Sequence, residues 1–349
     1  MDTVRAVESQ EKIMFGLGTF AVGGGESFPG LVLEGGVIDL RAQFGASATT
    51  GEMLADWDNA LSRLHAMADE PIPADALTLD RLRPLPPIQP IGQFFCAGAN
   101  YRKHLTEIVF TMARNDPDET RPETVLREEA REFVQNRAAS GQPFVFAMPP
   151  STVSGAHDDI VLWGPGEQHD WELELALVIG RAARNVSRDQ AMECVAGYTI
   201  SNDISTRDVM FRPNFTMTDF LMTKGRPGFF PTGPYLVPRE FVDDYRRLRL
   251  SLKVNGEVMQ DELVDDIIYG VEDLVAYAST ITELRPGDIL LTGSPGGNAG
   301  HHGNRWLRPG DMVEGEITGL GLLRNRCVAD PGRNGHATST DGDRQTSAA

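Results

Sequence analysis

Cysteine is scarce: the 349 residues include three, Cys96, Cys194 and Cys327, an odd number, far apart and without a CxxC pair. That spacing suggests neither a disulfide framework nor a zinc ribbon, and it fits a reducing compartment. Long apolar runs are missing too. Nowhere do about 18 apolar residues follow one another, so no membrane span is predicted. The N-terminus, MDTVRAVESQEK, has no basic stretch leading into an apolar one, so no signal peptide is expected and the predicted location is the cytoplasm. Positive charge is also in short supply. With 32 Lys and Arg against 50 Asp and Glu, net -18, the chain cannot attract nucleic acid or anionic membrane non-specifically, since both need clustered cations. An anionic substrate would then need a locally positive site, which a divalent cation held by carboxylates can supply.

What is present is turn-rich. Thirty-six Gly and 22 Pro divide the chain into short apolar runs, the mark of a strand-rich architecture. MFGLGTFAV and LVLEGGVIDL read as early strands, and Leu54, Trp57, Leu61 and Leu64 as the stripe of a helix between about Met53 and Met67. The proline-dense PIPADALTLDRLRPLPPIQP suits an extended connector, which places a domain boundary near residue 90. The charged segment Asp116–Asn136 predicts a solvated helix preceded by a loop. From Pro143 to Val328 strand-like runs alternate with Gly/Pro turns. One helix is expected among them, opened by a Ser187/Gln190 capping box and closed at Gly197. The polar tail from Pro331 is predicted to be disordered. The expected fold is α+β and β-rich, with a smaller N-terminal α/β region and connector (1–90), a larger domain (91–330) and a tail (331–349).

Several segments can carry chemistry. In WELELALVIG a strand puts Glu172 and Glu174 on one face, about 7 Å apart at Cα, with Leu173, Leu175 and Leu177 on the other. Ala176 and Val178 continue the glutamate face as apolar residues, so that face is not open to water along its length. Like-charged buried carboxylates are costly unless a cation binds them, and oxygen ligands of this kind suit Mg²⁺ or Mn²⁺. Asp203, in YTISNDIS directly after the capped helix, is a third candidate ligand. His104 and Glu107 stand three apart in ANYRKHLTE, on one helical face, as a general-base pair does. Lys224, beside Gly225, could bind an oxyanion. The glycine-rich TGSPGGNAGHHG lacks the Walker pattern, and its His301 and His302 read as loop surface.

In order, these segments resemble the fumarylacetoacetate hydrolase family from about Phe94 to Val328. The marks are NYxxHxxE at Asn100–Glu107, ExE at Glu172 and Glu174, SNDISTRD at Ser201–Asp208, and the run from Lys224 to Pro234. RPGDILLTGSP at Arg285–Pro295 and LRPGDMVEGEITGLGLLRN at Leu307–Asn325 follow. The resemblance implies a β-roll catalytic domain, usually a homodimer, with Glu172, Glu174 and Asp203 binding Mg²⁺ (or Mn²⁺). The ion would hold a small 2-keto acid, His104 and Glu107 would activate water, and Lys224 would stabilise negative charge. It further implies cleavage of a C–C bond in an acylpyruvate-type 2,4-diketo acid, fumarylacetoacetate- or fumarylpyruvate-like, in aromatic catabolism. The alternatives are a 2-keto acid decarboxylase or isomerase, and a non-catalytic scaffold of the same fold. Departures fall at substrate-contacting positions: Met210 where a Gln is common, Gly293-Ser294-Pro295 for the usual GTP, Met148-Pro149 for Lys-Pro, and Arg226-Pro227-Gly228-Phe229 after Lys224-Gly225. Met210 and Ser294 are therefore the expected substrate-binding residues. A long stretch between Glu107 and Phe144 points to an enlarged lid.

Overall fold

The computed structural model describes residues 14–212 and 217–332. The first thirteen residues and the tail beyond Gly332, with the expected disorder there, lie outside the described residues. Strands dominate, helices are set around them, and among the described residues no barrel closes, which agrees with the α+β, β-rich expectation. One path through the main sheet runs Gly36–Asp39, Ser27–Leu33, Gly16–Ala21, Phe230–Pro238, Val195–Asn202, Leu173–Ile179, Ile289–Leu291, Phe94–Ala97, Val145–Met148. Leu17 is registered with Leu236, which continues the N-terminal strands into the sheet of the following region. A second, five-stranded sheet runs Glu257–Leu263, Arg249–Val254, Met312–Ile317, Gly321–Ala329, Ile160–Leu162.

The central strand Leu173–Ile179 is buried at every residue, as a strand covered on both faces must be. Leu173 packs against the second sheet so closely that a Cβ added at Gly315 would lie 2.6 Å from its Cδ1. Val195–Asn202 on one side and Ile289–Leu291 on the other complete the pairing of its backbone.

The helices correct several expectations. The early stripe splits at Asp56, whose non-helical backbone (φ -130°, ψ 60°) separates Thr50–Ala55 from Trp57–Ala68. The Ser187/Gln190 capping box forms, but its helix covers only Arg188–Ala191 and is followed by a 3-10 turn, Met192–Cys194. Gly197 does not end a helix; it lies in a strand, where a Cβ would come within 2.0 Å of the Val237 carbonyl oxygen. The glycine serves the close approach of two strands. The charged segment does form a helix, Glu123–Ser140, which buries Leu126, Ala130 and Val134. Phe110, on the helix Arg102–Arg114, joins Leu126 and Ala130 in a small core separate from the main one. A helix at Val271–Ile281 was not anticipated.

Candidate metal centre

Sheet register assembles the acidic cluster. Leu173 pairs with Asn202 and Glu174 with Ser201, and one residue further on the Asp203 N–H donates to the Glu172 carbonyl at 2.8 Å. Asn202 Oδ1 accepts the Glu172 N–H at 3.0 Å, which fixes the backbone where the strand begins. As a result one carboxylate oxygen from each of Glu172, Glu174 and Asp203 lies within 4.8 Å of the others, and all three residues are buried.

Two cations close this cluster. Lys224 ends the helix Phe220–Lys224, and its buried Nζ donates to Glu172 Oε2 and Asp203 Oδ2, both at 2.6 Å, and to Ser205 Oγ at 2.7 Å. Arg207 holds the other oxygen of Glu172 at 2.7 Å through Nη2 and reaches Asp170 Oδ2 at 2.8 Å through Nε. Sequence reading assigned no role to Arg207, Asp170 or Ser205, although Arg207 and Ser205 lie inside the SNDISTRD motif.

The third side comes from Ile289–Leu291 and Phe94–Ala97, which run parallel to each other. Beyond them Gly293 N–H donates to Glu174 Oε2 at 2.7 Å. Asn100 Nδ2 ties this corner together by donating to the carbonyls of Thr292 (2.9 Å) and Tyr269 (3.0 Å). Gly293 has φ +90°, and a Cβ there would lie 3.0 Å from the Ala97 carbonyl oxygen, so glycine is required. The helix Arg102–Arg114 starts at this corner and brings His104 Nε2 to 3.5 Å from Glu172 Oε1.

Not every expected residue joins. Glu107 is half-buried with its carboxylate at 3.4 Å from Arg127 of the second helix, while the buried His104 Nδ1 has no hydrogen-bond partner among the described residues. The physical reason is tertiary: the helix Glu123–Ser140 packs on this helix through Phe110, Leu126 and Ala130 and offers Arg127 to Glu107. Ser294 is buried, with Oγ accepting from Gln260 Nε2 at 3.0 Å. Met210 is part-exposed and lines a neighbouring cavity. The glycine-rich loop is packed rather than open: Trp171 Nε1 donates to the Gly297 carbonyl, Ala299 N–H to Asp170 Oδ1, and His302 Nε2 lies 2.8 Å from the Met259 carbonyl oxygen. His301 is exposed, the loop-surface position expected of it; partial burial, then the charge of His104, push its imidazole down.

The electrostatics separate the three carboxyl groups. Burial pushes Glu172 up, but Arg207, Lys224 and His104 outweigh it and hold it well below the usual range. Burial pushes Glu174 well above that range, with Asp203 and Glu172 adding to the effect. Asp203 is raised to about 7 by burial and by Glu172, against the pull of Lys224. Asp203 Oδ1 is buried without a hydrogen-bond partner among the described residues. An orphaned carboxylate oxygen among hard oxygen donors fits a divalent cation of the Mg²⁺ or Mn²⁺ type.

A pH dependence follows. Glu174 and Asp203 hold protons more tightly folded than unfolded, so without a cation their contribution to stability is present below the unfolded carboxyl values and is lost as pH rises through their raised folded values, about 7 for Asp203. A cation needs the same groups ionised, so its stabilisation should grow across that window. Thermal unfolding with and without MnCl₂ should show a Tm gain that increases from about pH 5.5 to about pH 8. A gain that does not change with pH would contradict the assignment of these two carboxyl groups.

A buried acidic triad that could hold a metal, closed by a lysine on a strand-rich α+β fold, defines the class of site. The family model for the fumarylacetoacetate (FAA) hydrolase C-terminal domain matches residues 93–328, and the chain belongs to that family. A bifunctional isomerase/decarboxylase of 4-hydroxyphenylacetate degradation from Salmonella dublin is 34% identical over 251 residues, 71% of this chain and 49% of that relative. The chain thus spans about half the length of that protein. A mitochondrial oxaloacetate tautomerase from Rattus norvegicus is 31% identical over 301 residues, 85% of each chain. The crystal structure of fumarylpyruvate hydrolase from Pseudomonas aeruginosa in complex with Mn²⁺ and pyruvate is 28% identical, with a TM-score of 0.55 over 69% of this chain and 91% of that one. The family therefore includes hydrolase, isomerase, decarboxylase and tautomerase activities. Among the described residues no helix is long and apolar enough to cross a membrane.

Proposed function

We propose that this chain is a divalent-metal-dependent hydrolase that cleaves the carbon–carbon bond of an acylpyruvate-type 2,4-diketo acid. The observation that carries this reading is the convergence of three buried carboxylates with Lys224 on one side and His104, with one ring nitrogen unpartnered, on the other. Glu172, Glu174 and Asp203 would hold the ion. When bound, the ion supplies Lewis-acid polarisation of the 2-keto oxygen. Burial disfavours the charge on Lys224, but Asp203 and Glu172 keep its ammonium above its usual range, so it acts as a fixed donor to substrate oxygens rather than as a base. Arg207 fixes Glu172 from the outer side. His104 takes the proton from a water attacking the distal carbonyl; the C–C bond then breaks with its electron pair leaving on the pyruvate enolate, whose carbon takes the proton back from His104 to give a carboxylic acid and pyruvate.

One observation favours a second reading. Glu107 faces Arg127, so among the described residues no carboxylate orients His104 through Nδ1, and an isomerase or decarboxylase has no need of an activated water. The Salmonella relative is of that kind.

The same proposal extends to Mg²⁺ as the preferred ion with Mn²⁺ as substitute, a homodimer, a cytoplasmic location and a place in aromatic catabolism. It keeps 91–330 as the catalytic unit with 1–90 appended, and Met210 and Ser294 as substrate-binding. The Mn²⁺ and pyruvate bound by the Pseudomonas enzyme support the ion and substrate class. As a test, the chelated protein should cleave no diketo acid, and Mg²⁺ or Mn²⁺ should restore formation of two products identified by mass spectrometry. Formation of a single product would favour isomerisation.

A further inference from the structure

We infer that the distal acyl group of the substrate is uncharged and apolar, so that a diketo acid with a second carboxylate is disfavoured. This rests on the hydrolase reading and specifies the substrate of that site. A cavity of about 410 Å³ lies beside Arg207, and its large side chains are Met112, Met210, Phe211 and Trp306. Thr111, also in its wall, stands seven residues after His104 on the same helix, two turns along one face and about 10 Å further on. A substrate whose keto acid sits at the three carboxylates and whose chain passes His104 therefore runs into this cavity.

The charges in the wall decide what the cavity accepts. Among the described residues Arg207 is its one charged lining residue, and that guanidinium is already bonded to Asp170 and Glu172. Arg212, next along the chain, is paired with Asp219. A distal carboxylate would exchange water there for the neutral groups of Thr111, Asn115, Gln168 and Asn304 and a cation already offset by two carboxylates, a cost that an apolar group does not carry. Met112 and Phe211 are 63% and 58% exposed, an apolar rim that a bound acyl group would cover.

The test compares benzoylpyruvate, neutral at its distal end, with fumarylpyruvate, which carries a second carboxylate, in the Mn²⁺-loaded protein. Benzoylpyruvate should have the higher kcat/KM by at least about tenfold. Met210→Lys, which supplies an uncommitted cation, should shift the ratio toward fumarylpyruvate by at least about tenfold. Equal or preferred cleavage of fumarylpyruvate by the wild type, or no shift in a folded Met210→Lys variant, overturns the inference. If neither compound is cleaved the hydrolase reading falls, and calorimetric affinities of the same two compounds then decide the cavity alone. Tighter benzoylpyruvate upholds the inference; equal or tighter fumarylpyruvate overturns it.

Discussion

Replacing Glu174 by Ala is expected to remove divalent-metal binding and turnover together, with the fold retained. Glu174 is a buried carboxyl with, among the described residues, no basic side chain bonded to it; its backbone donor is Gly293 N–H. Its loss leaves two carboxylates, both already engaged by Lys224 and one, Glu172, by Arg207 as well. Changes to groups that merely support metal ligands cost about 10–100-fold in affinity, so loss of a ligand should cost more than about 100-fold. Stability should move little, because leaving Gly293 N–H unpaired costs about 1–3 kcal/mol while a buried like charge is relieved. Glu174→Gln keeps an acceptor for that N–H and serves as the folded control, with the same loss of metal. Metal content by atomic emission and turnover at saturating Mg²⁺ are the measurements; near wild-type values in both variants would remove Glu174 from the metal site.

The second large effect is expected at His104. A hydrolase needs a group to take the proton from water, whereas a decarboxylase does not, so His104→Ala should lower hydrolytic kcat by roughly 10²- to 10⁴-fold. Metal affinity should stay near the wild-type value, because His104 stands 3.5 Å from Glu172 and outside the carboxylate triad. Any decarboxylation of oxaloacetate should fall less. Equal loss of both reactions would make His104 a substrate-positioning residue, and no loss of either would refute hydrolysis through His104.

The sequence made the acidic cluster readable because strand alternation alone places Glu172 and Glu174 on one face, and Ala176 and Val178 mark that face as covered. His104 was readable from its place early in a helix. Its expected partner was not: Glu107 turns to Arg127 because two helices pack through Phe110, Leu126 and Ala130, a tertiary contact that spacing within one helix does not encode. Arg207 and Asp170 escaped notice for a similar reason. They are 37 residues apart and meet only because Ser205–Thr206 pairs with His169–Asp170. Gly197 misled because a glycine after a capped helix has two physical uses, ending the helix or letting a neighbouring strand approach, and only the register with Pro238 separates them. The helix Val271–Ile281 has a glycine at its N-cap, Gly270, whose N–H is held by Asp273, so the usual Ser/Thr start signal was absent.

The most direct test of the central claim follows the fate of water. The Mn²⁺-loaded protein is given an acylpyruvate in oxygen-18 water, and the products are read by mass spectrometry. Water-dependent C–C cleavage predicts one heavy oxygen in the newly formed carboxyl group of the released acid, with pyruvate in equal amount and neither product in the chelated protein. A single rearranged product, or carbon dioxide without a labelled acid, would contradict the hydrolase account and favour the isomerase or decarboxylase reading.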